Sequence, residues 1–133
     1  MQTAISLLLA LVLVPAFSSA QTLCNVSQVR LSGDEVIVDF DRRADLDILA
    51  LGHTKDEGNR RFKIQSGQLV AKGVPVDGIV LSEGEAIYIN RGFTQSCVVR
   101  AGRSGARKGI HIEEQIHVRQ QPPKLRAEFV QAY

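Results

Sequence analysis

The chain has 133 residues, 44% apolar and 23% charged, with 16 Lys and Arg against 14 Asp and Glu. A net charge of +2 leaves no strong field to draw nucleic acid or a membrane surface, and the length suits a single domain. The single Met is residue 1 and Trp is absent, which excludes a His-His-Cys-Met copper centre and leaves few aromatic platforms for nucleic-acid bases.

Residues 4–17, AISLLLALVLVPAF, carry no charge and match the roughly 7–15-residue apolar core of a secretory leader. A bilayer-spanning helix needs about 20 such residues, and Pro15 interrupts this run near its end. Ser18 and Ala20 place small residues at −3 and −1 of a cut before Gln21. The absence of Lys and Arg from residues 1–3 is the one departure from the leader pattern. The expectation is a cleaved signal peptide over 1–20, a mature domain over 21–133 without a stable membrane anchor, and a periplasmic or secreted product.

Cys24 and Cys97 are the only cysteines, and in an exported chain such a pair predicts a disulfide. Closing so long a loop stabilises a fold by roughly 4 kcal/mol. The spacing is not that of a Cys-x-x-Cys redox pair.

Short β-type segments then follow one another. They cover residues 26–31, 35–41, 45–51, 61–65, 68–72, 74–81, 85–90, 95–100, 110–118 and 125–133. In 26–31 the alternation is broken by Ser27 and Gln28, and 45–51 (DLDILAL) is the most helix-like stretch. In 110–118, Ile110, Ile112, Ile116 and Val118 share one face, and His111, Glu113, Gln115 and His117 the other. Gly-, Ser-, Asp- and Pro-rich turns separate the segments, among them 101–109, AGRSGARKG, read as a flexible basic hairpin loop. This rhythm predicts one all-β domain, an antiparallel β-sandwich of immunoglobulin-like type.

Charge is less even locally. From Asp34 to Glu57 there are eight acids and three bases; from Arg91 to Lys108 there are five bases and no acid. Arg100, Arg103, Arg107 and Lys108 are therefore candidates for contacting an anionic polysaccharide, lipid headgroup or acidic protein face. The segment is no phosphate loop, because Arg107 stands where the second Gly of that motif belongs. Asp39, Asp41, Asp45 and Asp47 form two Asp-x-Asp pairs, but Arg43 occupies the third ligand position of an EF-hand register. His111 and Glu113, neighbours on one strand face, are candidate ligands for a borderline metal. His117 lies about 20 Å further along at roughly 3.3 Å per residue, and His53 sits in a loop.

Catalysis has little support. No Ser lies in a Gly-x-Ser-x-Gly elbow, and a disulfide removes the thiols from nucleophilic use. The expectation is a non-catalytic, cofactor-free module that binds another protein, such as an envelope component, through strand edges or loops. Binding of an anionic ligand by the basic residues is the alternative, and a small hydrolase or metal-dependent enzyme comes third. The terminal segment 124–133 follows the stiff spacer Gln-Gln-Pro-Pro and is expected either to dock in its own sheet or to pair with another chain.

Overall fold

The computed structural model describes residues 23–52, 58–90 and 95–133. The expected leader over 1–20 and the candidate His53 lie outside these residues. A short 3-10 turn, Leu23–Asn25, leads into eleven strands and no α-helix among the described residues.

Strands β1 (Val26–Ser32), β2 (Glu35–Phe40) and β7 (Ile79–Leu81) form a three-stranded sheet in the order β1-β2-β7. The other sheet contains β3 (Leu46–Leu51), β4 (Asn59–Gln65), β5 (Gln68–Ala71), β6 (Val74–Pro75) and β8 (Ala86–Asn90). It is completed by β9 (Gln95–Ser104), β10 (Arg107–Ile116) and β11 (Lys124–Gln131), in the order β11-β10-β9-β8-β3-β4-β5-β6. Every pairing is antiparallel, and one apolar core lies between the two layers. The chain is thus an all-β, two-sheet sandwich.

Local sequence accounts for most strand limits. Alternation fills the core from β2 (Val36, Val38, Phe40), β9 (Cys97, Val99, Ala101) and β10 (Ile110, Ile112). The broken alternation of β1 is a bulge between Val26 and Gln28, which lets Val26 and Val29 both turn inward although three residues apart. DLDILAL is strand rather than helical turn, with Ile48 and Ala50 buried on one face.

Two expectations are corrected. Residues 74–81 are not one strand: Pro75 cannot donate to a ladder on both sides, and the chain bends through Val76-Asp77-Gly78. Its two halves, β6 and β7, go to different sheets. Residues 101–109 are not a flexible loop either. Ser104 pairs with Arg107 across a two-residue turn in which Gly105 takes φ 64°, so the rest of the segment is regular hairpin.

Cys24 and Cys97 form the expected disulfide, joining the N-terminal turn to β9 inside the core. That bond is consistent with an oxidising, extracytoplasmic compartment. The two sheets are also sewn together at their C-terminal side. Beyond β11, the Ala132 amide donates to the Lys108 carbonyl at 2.9 Å. The Tyr133 amide then donates to the Val29 carbonyl at 3.3 Å, and the Leu31 amide to the Tyr133 carbonyl at 2.9 Å.

Candidate functional site

The β9–β10 hairpin carries all four basic candidates and both metal candidates, and its register distributes them. Lys108 stands directly opposite Arg103, and His111 opposite Arg100. Arg103 and Lys108 have the parity of the buried residues Ala101 and Ile110, so they face inward at the rim of the sandwich. There Lys108 Nζ meets Asp34 Oδ1 at 3.5 Å and Arg103 Nε meets Glu83 Oε1 at 3.4 Å. Arg100 and Arg107 have the opposite parity. Arg100 Nη1 donates to the Gly84 carbonyl at 2.8 Å, and the Arg107 guanidinium stacks 5.2 Å from the centre of the Phe129 ring.

The four bases are therefore divided between two faces, each with a local partner. A rim recess lined by Asp34, Leu81, Glu83, Ala101 and Lys108 has a volume of about 10 Å³, room for one water. Two carboxylates in its lining suit it poorly to an anion.

His111 lies on the outer face, where Nε2 is 2.9 Å from the Arg103 carbonyl oxygen and the ring packs 4.9 Å from Phe129. It is thus tied to the backbone and to an aromatic ring, whereas Glu113 points outward one pair further along. Among the described residues, one group of three potential ligands lies close enough to share an ion: Cys24, Cys97 and Glu114. With both sulfurs in a disulfide, that trio offers one carboxylate.

Glu114 was not a sequence candidate, yet it is 5% exposed in the core, with Oε2 4.0 Å from each sulfur of the disulfide. Its other oxygen is 3.7 Å from Arg126 Nη1 on β11. The signal was present: Glu114 shares the parity of Ile110 and Ile112.

The paired aspartates are engaged by arginines. Asp39 Oδ1 accepts from the Phe40 amide at 2.8 Å and from Arg42 Nη2 at 2.9 Å. Asp41 accepts from Arg43, whose Nε is 3.0 Å from both carboxylate oxygens. This hydrogen bonding holds the Asp41 carboxyl down at about 2, and raises Arg43 in turn. Asp47 stands opposite Lys63 on the neighbouring strand. Asp39 lies in β2, Asp41 and Asp45 in the connection that follows it, and Asp47 in β3, so the four are spread over two sheets and their connection.

The remaining surface of consequence is backbone. Among the described residues four strand edges bound the two sheets, and three are short or partly covered. Tyr133 pairs with β1. β7 has three residues, and Arg60 Nη2 takes its Val80 carbonyl at 2.9 Å. β6 has two residues, one of them Pro75. Among the described residues, β11 has eight residues and pairs with β10 on one side only, from Lys124 opposite Ile116 to Gln131 opposite Gly109. The terminal segment is therefore docked in its own sheet while presenting that sheet's long edge.

The backbone parity of this edge follows from its end. Ala132 bonds to Lys108 on the β10 side, and Tyr133 bonds to β1 on the other. Amide and carbonyl directions alternate along a strand, so Arg126, Glu128 and Val130 bond toward β10. Leu125, Ala127 and Phe129 present theirs outward. Leu125 is 60% exposed at this edge, and the Glu128 side chain accepts from the Leu23 amide at 2.7 Å. Comparison with models of protein families, with curated proteins and with solved structures finds no significant match.

Proposed function

We propose that the protein is a non-catalytic binding module that captures an extended segment of another protein on the free edge of β11. One observation carries this reading: among the described residues, the β11 edge alone of the four sheet edges combines length with outward amides at Leu125, Ala127 and Phe129. An added strand draws affinity from such main-chain groups and specificity from alternate side-chain positions. The scattering of the basic residues and the one-water recess favour edge pairing over an anionic-ligand site.

Export through the leader at 1–20 to the periplasm or the cell exterior belongs to the same reading, and the disulfide supports it. Mass spectrometry of the protein recovered from its compartment is expected to find Gln21 at the N-terminus; an intact Met1 overturns export. The immunoglobulin-like type rests on strand rhythm and two-layer packing, although a three-plus-eight division of strands departs from the usual seven to nine.

Ala127→Pro tests the edge. Its amide points away from β10, so proline removes an outward donor without breaking the internal ladder. Immobilised wild-type protein is expected to retain synthetic extended peptides with alternating apolar residues, and the Ala127→Pro protein to release them. Equal retention by both proteins would count decisively against edge capture.

A further inference from the structure

The partner that the β11 edge fits best is β11 itself. We propose that a second copy of this chain pairs antiparallel with this strand about a two-fold axis through Ala127, merging two eight-stranded sheets into one. The proposal rests on the edge-capture reading and adds the identity of one partner.

Stereochemistry limits the register first. A two-fold axis at Ala127 places residues i and 254 − i opposite each other, so odd positions face odd positions. The odd positions are those whose amides and carbonyls point outward, as fixed by the bonds of Ala132 and Tyr133. Ala127 would face its own copy as a hydrogen-bonded pair, and Leu125 would face Phe129 twice, extending the outer-face row in which Phe129 covers His111.

Charge then selects this register from its neighbours. Arg126 would stand opposite Glu128 of the second copy, and Glu128 opposite its Arg126. These are non-hydrogen-bonded pairs, the closer kind at about 4.5 Å between Cα atoms. Moving the axis to Arg126 sets arginine against arginine, and moving it to Glu128 sets glutamate against glutamate. An axis at Leu125 brings Lys124 against Arg126. An axis at Arg126 also brings Lys124 opposite Glu128, but only the Ala127 axis pairs unlike charges without opposing like ones.

The groups are available for this. Arg126 is 62% exposed, so beyond the Nη1 that lies 3.7 Å from Glu114 its guanidinium has donors to spare, and Glu128 uses Oε1 on Leu23, leaving Oε2. Inward-pointing charges on an edge strand more often guard against pairing. Here the two guards are complementary under the two-fold operation, so in this register they select a partner.

Sedimentation of the purified protein across micromolar to millimolar concentration tests the proposal. A reversible dimer is expected. Arg126→Glu and Glu128→Arg should each weaken self-association at least tenfold, because each places like charges across the axis. A one-to-one mixture of the two variants should dimerise again, since one copy then offers two acids and the other two bases. That rescue also shows that both variants are folded.

A protein monomeric at every concentration overturns the proposal, as does a dimer indifferent to both charge reversals. Peptide retention that survives in the Arg126→Glu variant, with self-association absent, leaves edge capture standing and removes only this partner. Loss of both in wild-type protein removes both.

Discussion

Gly109 lies in β10 where β11 crosses closest. A methyl group there would meet the Val130 carbonyl oxygen at 2.0 Å, Gln131 Cα at 2.9 Å and Phe129 Cζ at 2.9 Å. Two of these are backbone atoms of the edge strand, so β11 itself must move. Gly102, directly opposite, would meet only the ring edge of His111 at 3.3 Å. Gly109→Ala is therefore expected to destabilise the protein by about 2–3 kcal/mol, and Gly102→Ala by less than about 1 kcal/mol, in equilibrium denaturant unfolding. Equal effects would mean that the β10–β11 contact is looser than described. Glu114 makes the complementary point about burial. A carboxylate among Ile110, Ile112 and a disulfide is tolerated because Arg126 reaches it from the edge strand. Its parity was legible in the sequence; its partner was not, because nothing local to Glu114 announces which strand lies beside β10.

At the scale of the strand, β11 has two different backbone rows. Amides of Arg126, Glu128 and Val130 bond to β10, whereas those of Leu125, Ala127 and Phe129 face outward. Native-state hydrogen exchange at low protein concentration is expected to show alternating protection along this strand, with the even positions slower by orders of magnitude. Uniform protection at low concentration would mean that the outward row is already covered. Most strands were legible because period-two burial is a local property: Val36, Val38 and Phe40 show it in six residues. The failures are equally physical. In 74–81, apolar content outweighed Pro75 and Asp77-Gly78, which mark a change of sheet. In 101–109, glycine and arginine looked like loop composition, whereas Gly102 and Gly109 are there because rings and a neighbouring strand lie over them. Edge status was illegible for a different reason: the spatial order of strands is non-local.

Across the molecule, the disulfide closes a segment of 73 residues that includes every strand from β1 to β8. Chain-entropy arguments assign such a loop about 4 kcal/mol, a large part of the total stability of a domain this size. The Cys24→Ala/Cys97→Ala protein is expected to lose about that much in urea unfolding while keeping its strand content by circular dichroism. A loss below about 1 kcal/mol would mean that the crosslink constrains little in the unfolded chain. The Leu23 bond to Glu128 spans 105 residues and ties the same N-terminal turn to β11 without covalent help.

The seam made by Tyr133 has a consequence in time as well as in space. The first strand finds its outer neighbour in Tyr133, which follows every other strand in the sequence, so β1 stays open on that side until β11 and Tyr133 have been made. The two layers are therefore joined along this seam last, after all the strands from β1 to β11 are in place to receive it.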